Sequence, residues 1–201
     1  MGGGGAGVYI TFAHLKSYWR EVRQHNAPFY ALLLSTENTD VDAKITNYTY
    51  ENPDELHDMS GKDCWIFTPV PKGFILGGVI AGQELYSIGR LFDVLPEQFP
   101  CIVFFDRLTR PKQVVVVSIA SILGSNPTKD EITSFFRSLF SITQSLADSP
   151  IQKRAKLLHE KVLEKWDNKK TLGARLTRVV ELVKPLSEII KNMSEAVSSL
   201  V

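Results

Sequence analysis

Apolar positions along this chain fall into three patterns, and each predicts a different element. A continuous apolar run of strand length occurs at 29–34 (Phe-Tyr-Ala-Leu-Leu-Leu), a β-rich run closed by Pro69 and Pro71 at 64–70, and two further apolar runs at 101–105 (Cys-Ile-Val-Phe-Phe) and 113–119. Runs without polar alternation suit strands covered on both faces. The first is bounded by Pro28 and by the polar Ser35-Thr-Glu-Asn-Thr-Asp40, which marks it as a central strand. The last two flank a polar, proline-containing turn and predict an antiparallel hairpin. A short strand is expected at 8–10.

Helical spacing appears at Phe12, Leu15, Trp19 and Val22, and again at Ile132, Phe135, Phe136, Leu139, Phe140, Thr143 and Leu146. The second helix opens on Thr128-Lys-Asp-Glu131, a capping box, and stops at Asp148-Ser-Pro150. Another helix is expected from about 83 to 95. Residues 41–62 read as polar and turn-rich, with a helical turn over 53–59.

The third pattern is an apolar seam at Leu172, Leu176, Val179, Val183, Leu186, Ile190, Met193, Val197 and Leu200. Its alternating steps of four and three are the heptad spacing that buries one helix face against a second helix. The same phase runs back through Val162, Leu158, Ala155 and Ile151, which predicts either one long interrupted helix or a helical hairpin turning near 167–168. Pro185 inside a helix costs about 3 kcal/mol and argues against a long straight coiled coil. The seam either folds back as a cap or pairs between chains, and its length of four heptads favours pairing. The chain stops inside it at Leu200-Val201, which fits a longer parent chain.

Composition narrows the setting. No apolar stretch in the 201 residues approaches the roughly 18 to 20 needed to cross a bilayer. The opening MGGGGAG has neither a basic nor an apolar region of a signal peptide, so residues 1–7 are expected to be a flexible leader and the location cytoplasmic. Cys64 and Cys101 sit far apart among apolar and aromatic neighbours, as reduced buried thiols do; a single Cys64–Cys101 bridge is the alternative. Formal net charge is only +1, but residues 151–178 hold Lys153, Arg154, Lys156, Lys161, Lys165, Lys169, Lys170, Arg175 and Arg178 against three acidic residues. That stretch is either a solvated helix face or a contact for nucleic acid or an anionic membrane.

The order β-α-β-(α)-β-α-β-β-α over residues 8–149, with Phe99-Pro100 directly ahead of the hairpin, resembles the thioredoxin-like fold. The resemblance implies an α/β three-layer sandwich with a mixed central sheet, followed here by a helical extension over 150–201. It also implies that Pro100 is the cis proline of that family, beside the functional surface. The departure lies after the central strand, where the family's oxidoreductases carry C-x-x-C or a lone cysteine with a lowered pKa. This chain has Ser35-Thr-Glu-Asn-Thr-Asp40 there and no cysteine.

Few residues invite catalysis. Cys101, next to Pro100, is a candidate thiol nucleophile or a small buried apolar residue. Ser35 or Thr36 could activate a bound thiol, or serve as turn and cap residues. The segment from Gly73 to Gly82 precedes a helix but matches neither G-x-x-x-x-G-K-S/T nor G-x-G-x-x-G in a strand-to-helix setting, and reads as a glycine-kinked strand. His14, His25, His57 and His159 are dispersed without metal-ligand spacing. Asp54, Glu55, His57 and Asp58 cluster in what reads as a loop, and no G-x-S-x-G elbow exists. No cofactor is implied.

The function expected on these grounds is a non-catalytic protein–protein interaction or regulatory module whose C-terminal helices mediate oligomerisation or partner binding. The competing expectations are a divergent thiol-dependent oxidoreductase or glutathione-transferase-like enzyme using Cys101 or Ser35, and polyanion binding through the basic helix 153–178.

Overall fold

A computed structural model describes residues 9–11, 27–36, 39–68, 86, 89–90, 92–107, 113–166 and 174–178. Among them six strands form one mixed sheet in the order β1-β3-β2-β4-β5-β6. The strands are β1 (Tyr9–Thr11), β2 (Phe29–Leu34), β3 (Cys64–Thr68), β4 (Cys101–Phe105), β5 (Gln113–Ser118) and β6 (Ala174–Arg178). β1, β3 and β2 run parallel, and β4, β5 and β6 alternate antiparallel from β2 outward. A parallel pair needs a crossover, and helices α1 (Asp40–Glu51) and α2 (Pro53–Ser60) supply it between β2 and β3. Helices α3 (Ile119–Leu123), α4 (Lys129–Ser145) and α5 (Ile151–Trp166) follow the β4–β5 hairpin.

Apolar runs without polar alternation become strands with two buried faces. Phe29, Ala31 and Leu33 join Ile102, Phe104, Val115 and Val117 on one face, packed under the helices. Tyr30, Leu32 and Leu34 join Val103, Phe105, Val114 and Val116 on the other, beneath Phe92, Val94 and Phe99. The first core is strongly aromatic: Phe136 stacks on Tyr48 and Phe140 at centroid distances of 5.6 and 6.0 Å and meets Phe135 edge-on at 5.4 Å. β2, expected to be central, has all six residues buried between β3 and β4.

α4 starts where its capping box predicts. Thr128 Oγ1 accepts from the Glu131 backbone N–H at 3.3 Å, and Glu131 Oε2 accepts from the Thr128 backbone N–H at 2.8 Å. Thr128→Ala is expected to cost about 1 kcal/mol, measured by urea unfolding. The hairpin and the helical residues Tyr86, Gly89 and Arg90 also fall where the apolar pattern places them. The expected helix over 12–22 and the glycine-rich stretch over 73–82 lie outside the described residues.

Three expectations need correction. Residues 40–51, read as turn-rich, form helix α1: Thr39 caps it, and Val41, Ile45 and Tyr48 put a narrow apolar stripe on the core. The Asp54, Glu55, His57 and Asp58 cluster lies in helix α2, which Pro53 opens and Gly61 ends at φ +58°. The continuous helix through 172–178 is also broken, because Ala174–Arg178 is a strand that pairs residue by residue with β5, Leu176 opposite Val115. The outer edge of β5 offers unpaired backbone donors and acceptors, and β6 satisfies them. The seam positions outside 174–178 lie outside the described residues. Upstream, α5 buries Ala155, Leu158 and Val162 in the same core as α4, so the first helix of the expected extension packs on the sheet.

Candidate functional site

The loop leaving β2 and the start of β4 come together at one end of the sheet. The Leu34–Cys101 register pair sets Ser35 and Pro100 at the same end of adjacent strands. The Phe99–Pro100 peptide bond is cis, and the Pro100 carbonyl accepts from the Ile119 backbone N–H at 2.8 Å. The two weak catalytic candidates and the proline singled out from the sequence are thus neighbours. Ser35 donates to the Asp42 carboxylate, which also acts electrostatically on Cys101.

Asp42, in the first turn of α1, is 1% exposed and is held by three hydroxyls and one amide of the preceding loop. Its Oδ1 accepts from Ser35 Oγ at 3.1 Å and from the Thr36 backbone N–H at 3.2 Å. Its Oδ2 accepts from Thr36 Oγ1 and from Thr39 Oγ1, both at 3.2 Å. The Asp42 backbone N–H in turn donates to Thr39 Oγ1 at 3.2 Å. Ser35 Oγ lies 2.7 Å from Thr46 Oγ1, and with its single proton given to Asp42 it accepts from that hydroxyl. Buried charge is tolerated where such donors surround it. Ser35, Thr36 and Thr39 therefore bond to Asp42 and staple the end of β2 to the start of α1.

This arrangement leaves little for nucleophilic chemistry. Ser35 is 3% exposed, and its described partners are a carboxylate, a backbone carbonyl and another hydroxyl, none of them the imidazole that activates a serine. Cys101 is fully buried; burial, and secondarily the Asp42 carboxylate, push its thiol pKa strongly up. Cys64 is shifted the same way by burial and then by Asp63. A thiolate is the reactive form, and neither cysteine supplies one near neutral pH. The two thiols are free and belong to opposite faces of the sheet, so the alternative of a Cys64–Cys101 bridge is set aside.

These shifts predict a pH dependence. The folded chain keeps a proton on each cysteine that the unfolded chain releases above its ordinary pKa of about 8.5. The resulting stability is complete below that pKa and falls as pH rises, each thiol contributing a slope of about 1.4 kcal/mol per pH unit. Urea unfolding at a series of pH values from about 8 to 10 should show this fall, with a shallower slope in Cys101→Ala. Ellman's reagent should leave both thiols untouched until the chain unfolds.

The described basic residues of 151–166 differ in their surroundings. Lys153, Lys156, Lys161 and Lys165 lie on the exposed side of α5, interrupted by Glu160 and Glu164, and Lys156 pairs with Glu160 at 3.7 Å. Lys169 and Lys170 lie outside the described residues, and Arg175 and Arg178 belong to β6 rather than to a helix. Arg154 is turned inward. Its guanidinium donates to the carbonyls of Ser149 at 2.9 Å, Ala147 at 2.8 Å and Pro28 at 3.3 Å, tying α5 to the end of α4 and the approach to β2. Spacing alone could not reveal this role, because the partners are carbonyls brought in by the fold. Arg154→Ala is expected to cost about 2 kcal/mol of stability, since hydrogen bonds from a charged donor to part-buried carbonyls outweigh neutral ones. Thermal melts of the full chain check it.

An open groove of about 300 Å³ lies between α3, α4 and the end of α5, with Ile122, Phe135 and Trp166 in its walls and Asp130 and Glu131 among its lining residues. Among the described residues, no group of three or more histidine, cysteine or acidic side chains is placed to hold a metal ion. Nor is any helix long and apolar enough to cross a membrane. Comparison with protein-family models, curated proteins and solved structures finds no match to this chain.

Proposed function

We propose that this chain is a non-catalytic protein–protein interaction or regulatory module of thioredoxin-like topology, with its C-terminal residues mediating association. The observation that carries the reading is the Asp42 network. Where a thiol-exchange enzyme needs an accessible thiolate after its central strand, this chain has a buried carboxylate that accepts from three hydroxyls and a backbone amide of the loop. The strand order β1-β3-β2-β4-β5 and the cis Phe99–Pro100 bond ahead of β4 support the topology. Two free, buried thiols suit a reducing, cytoplasmic setting.

Association is assigned to residues 179–200, where Ile190 and Val197 are two positions of the apolar seam. Light scattering on the full chain tests this. A mass that is a multiple of 22.5 kDa, reduced to 22.5 kDa by Ile190→Glu with Val197→Glu at unchanged melting temperature, is the expected result. A full chain that stays monomeric over a wide concentration range overturns the assignment.

A further inference from the structure

We propose that the groove between α3, α4 and the end of α5 receives an arginine side chain of a partner protein, its guanidinium held at Asp130 and its aliphatic stem lying on Trp166. This rests on the reading of the chain as an interaction module, and it uses residues other than those of the apolar seam. The groove holds about 300 Å³. That is the lower end of the range for ligand pockets, and it suits one long side chain better than a cofactor. Its lining is of two kinds. Asp130, Ser134 and Ser138 come from α4 and, spaced four residues apart, form one row along the helix, each about 6 Å from the next. Ile122, Phe135 and Trp166 supply an apolar, largely aromatic surface.

Charge selects the occupant. Asp130 and Glu131 both line the groove, and none of the described lining residues is basic. Glu131 is engaged in the α4 cap, where it accepts from Thr128. Asp130 is exposed, and among the described residues it forms no ion pair or hydrogen bond. Lys129, its neighbour in sequence, donates to Asn52 Oδ1 at 3.0 Å instead. The helix dipole favours an acidic residue in a first turn. It does not account for Trp166, a large ring left half-buried in the same groove. That ring is anchored against Phe135 at a centroid distance of 5.4 Å. An aromatic surface and an unpaired carboxylate in one groove are what arginine recognises. Its guanidinium stacks on aromatic faces and meets a carboxylate with parallel N–H donors, while the stem covers apolar surface. Lysine offers only a point charge, and a purely apolar side chain would cover Asp130 without pairing it.

The test is a titration of the isotope-labelled full chain with acetyl-arginine methylamide, followed by nuclear magnetic resonance. The Trp166 indole N–H, assigned by its loss in Trp166→Phe, and the backbone amides of Asp130 and Ser134 are expected to shift together. They should saturate at roughly millimolar ligand, the scale of a single side chain. The citrulline counterpart, similar in shape but uncharged, is expected to bind at least about fivefold more weakly. Asp130→Asn should weaken arginine binding by about the same factor at an unchanged melting temperature. Equal binding of arginine and citrulline, full binding by Asp130→Asn, or no shift up to about 50 mM ligand overturns the site. A Trp166 signal that moves on dilution of the chain alone would place a second copy in the groove and overturn a foreign partner. A chain that self-associates in light scattering but takes no arginine overturns the groove and leaves association standing. Arginine binding by a monomeric chain supports the groove and overturns only the seam.

Discussion

Phe136→Ala is expected to destabilise the chain by about 4 kcal/mol, the largest single loss among the substitutions considered. The side chain is 2% exposed and sits where α1 and α4 close over the sheet, in ring contact with Tyr48, Phe135 and Phe140. Truncation removes its transfer energy, opens a cavity that rigid aromatic neighbours cannot fill, and deletes three ring contacts at once. For a domain whose whole stability is of the order of 5 to 15 kcal/mol, that is a large fraction. At this chain length it corresponds to a drop of about 8 to 16 °C in melting temperature. Calorimetry or circular dichroism checks it. A shift of only one or two degrees would mean that α1 and α4 do not share one core. Phe136→Leu should recover much of the loss by refilling the volume.

Asp42→Ala is expected to cost about 3 kcal/mol, for a different reason. The lost group is an acceptor, and four donors from Ser35, Thr36 and Thr39 are left facing a buried gap. An orphaned buried donor costs about 1 to 3 kcal/mol, and the hydroxyls can turn to recover part of this. The Thr36 backbone N–H cannot. Asp42→Asn keeps one acceptor oxygen and should lose about half as much. Urea unfolding of the full chain supplies both numbers. A near-neutral Asp42→Ala would show that the carboxylate is not the keystone of the loop and would remove the main support for a non-catalytic reading of this end of the sheet. Neither variant is expected to make Cys101 reactive, because its thiol is held protonated mainly by burial.

The candidate site was legible in its parts but not in its centre. Ser35, Pro100 and Cys101 stand out in the chain as a polar strand exit and a proline–cysteine step beside it, and β2–β4 pairing brings them together. Asp42 does not stand out. A lone aspartate seven residues after a serine has no local signal, and its importance arises only when the loop curls back to surround it with donors. Helix α1 was misread for a related reason. Its polar residues mask a stripe of only three apolar positions, and the helix is held by its cap and by packing on Phe136. Arg154 counted as one more positive charge until the fold supplied three carbonyls for it.

By itself the amino-acid sequence determined those elements whose specification is local or strictly periodic. Short apolar runs bounded by turn residues and rich in β-branched and aromatic side chains favour strands with both faces covered, and β2, β4 and β5 are such strands. A Thr-x-x-Glu box ahead of a seven-residue apolar stripe can satisfy its own amides, and α4 starts there. Tertiary structure alone decided which polar groups are buried, which cysteine faces which side of the sheet, and what becomes of residues 174–178. Backbone pairing with β5 competes there with a side-chain pattern that favours a helix. Spacing along a chain records side-chain preferences, whereas a strand edge offers hydrogen bonds to any backbone, and only the folded sheet puts that edge within reach.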